Sequence, residues 1–218
     1  MNKVVNVILA GLGGQGVITA SDILSEAAFR SGFEVKKSEI HGMSQRGGSV
    51  TSDVRFGSQV LSPMVPPGEA DFLVVLAPDQ VEVNRGQLRA DGVLIAPDLI
   101  DPAKLSNRKS FNVALLGALS TRLEISETHW REAIHACLPA KLHAANEQAF
   151  AVGRQVGSTG DSPVPSGDPP EGAATTPLTD RDGLSSRSLI PVPVGGSPTG
   201  AGGPPAPPIC QPSAENQS

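Results

Sequence analysis

The sequence predicts an α/β domain with a mostly parallel sheet and an inserted β-hairpin, followed by a disordered tail rich in proline and glycine. Three observations carry this. Short apolar runs of strand length alternate with longer segments of helical period. A glycine-rich turn joins the first such run to the first helix. And the 24 Gly and 20 Pro of the 218 residues are unevenly spread, with 10 Gly and 13 Pro in residues 157–218. That stretch holds no aromatic residue, and its six acids face two arginines. Such a composition buries too little apolar surface to offset the entropy of ordering the chain. The predicted division is a folded unit, 1–156, and a disordered tail, 157–218. Leu189-Ile190-Pro191-Val192-Pro193-Val194 is the tail's one apolar patch. It reads as a polyproline-like linker or as a docking segment.

Within the folded part, Val4 to Ala10 is apolar and partly β-branched and reads as a buried parallel strand. After the turn, Val17, Ala20, Ile23, Leu24, Ala27 and Ala28 recur at helical spacing, with Gly32 as the stop. Phe33-Glu34-Val35 opens a second strand, and strand, glycine turn, helix, strand is the opening of a Rossmann-like unit. Ser38 to Gly48 reads as an irregular polar loop. Ser49 to Phe56 alternates, Gly57-Ser58 signals a turn, and Gln59-Val60-Leu61 returns, which predicts the hairpin. Ala70 to Leu76 is a buried strand ending at Pro78. Asp79 caps a helix running to Arg89, and Asp91-Gly92 turns into the strand Val93 to Ala96. Helices follow over Asn112 to Leu119, Glu127 to Leu138 with Ser126 as N-cap, and Lys141 to Gln155.

The turn Gly11-Leu12-Gly13-Gly14-Gln15-Gly16 fits G-x-G-x-x-G in the strand-to-helix context that the motif needs. Glycines allow a tight backbone, and a helix N-terminus offers free N–H groups to an anion. A nicotinamide dinucleotide site also wants an acid at the end of the second strand. There the chain reads Val35-Lys36-Lys37-Ser38, with Glu39 beyond. The lysines suit a 2′-phosphate or a solvated strand end equally well. A stand-alone NAD(P)-binding oxidoreductase, another ligand and simple packing all stay open at this point.

Glu39 to Ser49 is a dense polar segment offering His41, Gln45 and Arg46 beside Gly47 and Gly48. Loops of this kind at the carboxyl edge of strands are where α/β proteins bind ligands. Together, Gly11 to Gly16, the run His41-Gly42-Met43-Ser44-Gln45-Arg46-Gly47-Gly48, Val54-Arg55-Phe56-Gly57, Ser62-Pro63, and Asn146 to Phe150 with Gly153 resemble the gamma component of 2-oxoacid:ferredoxin oxidoreductases. The wording from His41 to Gly48 resembles the indolepyruvate branch in particular. The resemblance covers about residues 3–155.

The resemblance implies that residues 1–156 are a gamma-type domain of such an enzyme. The whole enzyme would oxidatively decarboxylate a 2-oxoacid, an aryl pyruvate by the branch, to an acyl-coenzyme A and reduce ferredoxin. No cofactor is expected on this chain alone, since its two cysteines suit no cluster and no metal–diphosphate segment is evident. Thiamine diphosphate, Mg2+ and [4Fe-4S] clusters are implied in a larger partner subunit, with coenzyme A as co-substrate. Gly11, Gly13, Gly14, Gln15 and Gly16 would support the interface or a coenzyme A phosphate. His41, Gln45, Arg46, Gly47 and Gly48 would lie at the partner's active-site mouth. Arg46 is the best carboxylate or phosphate contact, because a guanidinium fork suits both. No residue of this chain is expected to be catalytic, and none to bind metal.

The remaining features receive plain readings. The net charge of −5 argues against nucleic acid and against a polybasic membrane contact. No run reaches membrane-spanning length, and the short apolar start is too quickly broken for a signal peptide. Cys137 and Cys210 give no disulfide framework. A cytoplasmic location is the expectation. His129, His135 and His143 lack a metal spacing, and Trp130 is expected in the core. A non-enzymatic scaffold that only binds a partner is the remaining alternative.

Overall fold

In the computed structural model, residues 4–42 and 47–159 are described. Five strands form one sheet: β1 (Val5–Leu12), β2 (Glu34–His41), β3 (Ser49–Gly57), β4 (Ala70–Val75) and β5 (Leu88–Ile95). Helices α1 (Val17–Arg30), α2 (Asp79–Asn84), α3 (Phe111–Ser120), α4 (Glu127–Cys137) and α5 (His143–Thr159) complete the unit.

The strand order is β2-β3-β1-β4-β5. β1 pairs parallel with β4, and β4 with β5, while β3 runs antiparallel to both β1 and β2. The sheet is therefore mixed. This corrects two expectations. The segment predicted as a polar loop from Ser38 begins as strand, because β2 continues to His41. And β3 does not pair with Gln59–Leu61. It folds back on β2 and inserts between β2 and β1, with His41 opposite Val50 and Leu12 opposite Ser49. The longer β2 offers eight ladder positions, more than a three-residue return could.

A second correction concerns β5. The predicted helix from Asp79 to Arg89 ends at Asn84, and β5 already begins at Leu88. Its register against β4 jumps between Ala70 and Phe72, so Asp91-Gly92 forms an irregularity inside the strand rather than a turn before it.

Period-two alternation places the core. Val7 and Leu9 of β1, Val50, Val54 and Phe56 of β3, Val74 of β4 and Ile95 of β5 face the larger cluster, with α1, α3, α4 and α5. Trp130 is fully buried there, as expected, with its ring centroid 5.6 Å from that of Phe150. Ile8, Ala10, Leu73 and Val75 face a smaller cluster closed by Val65. On that face Asp53 accepts from the Val65 N–H at 2.9 Å, and burial pushes its carboxyl above the ordinary value. Arg55 donates to the carbonyls of Ser62 and Met64, which fixes the same loop.

Helices α3 and α5 cross with backbones almost touching. A Cβ on Gly153 would stand 1.8 Å from the Ala114 carbonyl oxygen. Only glycine permits that approach. Helix α5 continues to Thr159, three residues past the predicted division at 156. The expected tail, from residue 160 on, lies outside the described residues. Among the described residues no helix is long and apolar enough to cross a membrane.

Candidate functional site

The glycine turn leaves β1 and enters α1. Gln15 closes it, accepting from the Leu12 N–H through its side chain at 2.8 Å and donating its own N–H to the Leu12 carbonyl at 3.1 Å. Gly16 is the N-cap of α1 with φ of 81°, and no side chain caps the helix. A Cβ there would meet the Asn112 amide nitrogen at 2.6 Å. Asn112 itself donates to the Gly16 carbonyl at 3.0 Å. Glycine is thus required both by the left-handed backbone and by the neighbour.

The second predicted segment reaches the first. The Gly13 N–H donates to the Gly48 carbonyl at 2.9 Å, so the two glycine-rich loops are joined. Gly42 donates to the Ser49 carbonyl at 2.8 Å, at the foot of the β2–β3 connection. Ser49 in turn donates its hydroxyl to Gln80 of α2 at 2.7 Å. His41 closes β2, and Gly47 and Gly48 precede β3. Gln45 and Arg46 fall outside the described residues.

A cavity of about 850 Å3 opens beyond the carboxyl ends of β1, β4 and β5. Gly14, Gln15 and Gly16 line one side, and Leu76 and Pro97 lie at the strand ends. The opposite side is Asn107, Arg108, Lys109 and Ser110, leading into α3 at Phe111. Sequence reasoning missed this second wall, which lies about 95 residues from the glycine turn. Its only sequence signal was a polar Asn-Arg-Lys-Ser run before an apolar helix.

Lys36 and Lys37, within β2, are committed elsewhere. Lys37 forms ion pairs with Asp22 of α1 and with Glu39, and Lys36 lies 3.4 Å from Glu34. Burial lowers the Lys37 ammonium, but hydrogen bonds and charge from Asp22 and Glu39 outweigh it, and the net shift is upward. With β3 between β2 and β1, the strand that would carry a ribose or 2′-phosphate contact stands one position too far out. The geometry disfavours the stand-alone dinucleotide reading. Among the described residues no group of three or more His, Cys, Asp and Glu could hold a metal. His135 and His143 stack at 4.2 Å, with His135 held by Glu147.

An open α/β sheet whose glycine turn feeds a helix N-terminus over a cleft is the arrangement in which α/β domains bind ligands at their strand ends. Comparison with known proteins is more specific. The family model described as pyruvate ferredoxin/flavodoxin oxidoreductase matches residues 6–156, and the chain belongs to that family. It is 34% identical over 191 residues to indolepyruvate oxidoreductase subunit IorB of Thermococcus kodakarensis, spanning 69% of this chain and 95% of that protein. It is 33% identical over 124 residues to the pyruvate/ketoisovalerate oxidoreductases common subunit gamma of Pyrococcus furiosus, spanning 53% and 65%. The fold matches the gamma subunit of a keto/oxoacid ferredoxin oxidoreductase from Geobacter sulfurreducens. There the TM-score is 0.63 at 22% identity, over 72% of this chain and 98% of that one. The relatives are subunits of 2-oxoacid oxidoreductases, as the sequence resemblance implied.

Proposed function

We propose that this chain is the smaller, non-cofactor-carrying subunit of a thiamine-dependent 2-oxoacid:ferredoxin oxidoreductase of the indolepyruvate branch. The observation that carries the reading is the similarity to IorB along 95% of that protein, which leaves little of the relative without a counterpart. Thiamine diphosphate with Mg2+ would supply decarboxylation and [4Fe-4S] clusters the electron exit, both in a larger partner subunit, with coenzyme A taking the acyl group and ferredoxin the electrons.

This chain's own residues do the positioning. Gln15 and Asn112 hold the turn Gly11 to Gly16 rigid, and the Gly13–Gly48 bond ties it to the segment His41 to Gly48. In this reading the segment meets the partner at its active-site mouth, and Arg46 supplies the contact to a carboxylate or phosphate. The chain alone is inactive in this reading, and its location cytoplasmic. Affinity purification of the full chain from its native cell tests the proposal. A brown, thiamine-containing partner should co-purify in fixed ratio. A colourless chain with no such partner, or 2-oxoacid oxidation by the isolated chain, contradicts it.

A further inference from the structure

The two edges of the sheet are unlike. At β5 the register against β4 jumps between Ala70 and Phe72, and a break of this kind spoils an edge for further pairing. β2, at the other end of the order β2-β3-β1-β4-β5, has no such device. Its pairing with β3 runs unbroken from Glu34 to His41, and the strand contains neither Pro nor Gly. Among the described residues no strand takes its outer side. Unpaired N–H and C=O groups along so regular an edge are a template for another strand. Lysines commonly guard such edges with bare charge. Here that guard is neutralised, because Lys37 pairs with Asp22 and Glu39, and Lys36 with Glu34. Alternation puts Lys36, Ser38 and Ile40 on one face of β2, and Lys37 and Glu39 on the other, toward α1. Ile40 is 51% exposed, apolar surface that this chain leaves in water.

We propose that a second copy of this chain pairs antiparallel with β2 about a two-fold axis through Ser38, joining the two sheets into one. The charges on the strand select this occupant and this register. A two-fold axis normal to the sheet keeps each face on its own side, so residues opposite one another share a face and the axis passes through a residue. An axis at Lys36, Lys37 or Glu39 would set like charges face to face, which destabilises a strand pair. The axis at Ser38 sets hydroxyl against hydroxyl and brings Lys37 opposite Glu39 of the other copy, twice by symmetry. On the other face Lys36 falls opposite Ile40 of the other copy, and its aliphatic stem covers that exposed side chain. The same register leaves Glu34 outside the paired span, where its carboxylate already accepts from the Val60 N–H at 3.1 Å. This inference goes beyond the function proposed above and does not rest on it.

The test is sedimentation equilibrium of the full chain, joined to cross-linking by single cysteines under mild oxidation. Wild type should form a concentration-dependent dimer. Glu39→Lys, which sets lysines against lysines across the axis, should raise the dimer dissociation constant by about tenfold. Ser38→Cys places the two new thiols opposite each other and should give a covalent dimer well above the wild-type background, which Cys137 and Cys210 set. Lys36→Cys, whose counterpart lies several residues away along the other strand, should stay at that background. The cysteine variants read the register even where Glu39→Lys fails to fold. A chain that is monomeric throughout its soluble range would overturn the proposal. So would a dimer that a folded Glu39→Lys leaves unchanged, or one in which Lys36→Cys cross-links as well as Ser38→Cys. Slowed amide exchange along β2 only when a larger subunit is added would give the edge to that subunit, and would overturn it too.

Discussion

Gly153→Ala should destabilise the domain more than its single methyl suggests. The added Cβ would lie 1.8 Å from the Ala114 carbonyl oxygen, 2.8 Å from the Ala114 carbonyl carbon and 3.0 Å from the Ala118 nitrogen. All three are backbone atoms of α3, so no rotamer change relieves the clash. A carbon needs roughly 3.5 Å from such neighbours, so α3 and α5 must part by about 1.5 Å. That separation loosens the packing of Ala114, Ala118, Ala149 and Phe150, all buried. Overpacking a tight core commonly costs about 1–3 kcal/mol, and a backbone-to-backbone clash belongs at the upper end. At about 2–4 °C per kcal/mol for a domain of this size, the melting temperature should fall by about 6–12 °C. The site shares the consequence, because α3 begins at the cavity wall. The assay is a calorimetric melt of the full chain beside Gly86→Ala, where a Cβ meets nothing within 4 Å. A Gly153→Ala melt within about 2 °C of wild type would refute the close-crossing argument.

Three further outcomes are expected. Lys37→Met should destabilise the chain at neutral pH. The Lys37 ammonium is raised from 10.5, so its ion pairs stabilise fully below that value and are lost as pH rises through the folded one. The Tm gap between wild type and variant should close above about pH 10.5, and a gap that persists there would assign the effect to packing. Arg46→Ala should lower turnover of the assembled complex by about tenfold to a hundredfold, as for a lost charge-assisted contact, with the chain's Tm unchanged; wild-type kinetics would return Arg46 to a solvated loop. Limited proteolysis should leave a stable fragment ending just beyond Thr159, and amide protection throughout 160–210 would contradict the proposed tail.

The strands and helices with strong periodicity were legible in the sequence. The turn from β1 into α1, the Ser126 cap, whose side chain accepts from the His129 N–H at 3.3 Å, and the burial of Trp130 all stand as read. What failed was pairing. A strand's own pattern says which face is buried but not which neighbour it takes, so β3's insertion between β2 and β1 was not visible. The second half of β2, from Ser38 on, hid in the predicted loop because the run Lys36, Lys37, Ser38 and Glu39 is polar, its charges satisfied by one another and by Asp22 at a sheet edge. The glycine turn was found because its motif is local. The Arg108–Ser110 wall was not, because only the fold brings it to Gly16, through Asn112.

The central claim is that this chain completes an aryl-pyruvate-preferring 2-oxoacid:ferredoxin oxidoreductase. It is tested most directly by kcat/KM for indolepyruvate, pyruvate and 2-oxoglutarate, measured on the complex reconstituted with and without this chain, with ferredoxin as acceptor. The account predicts activity only when the chain is present, and highest for indolepyruvate. Full activity of the partner without this chain, or a preference for either small acid, would contradict it.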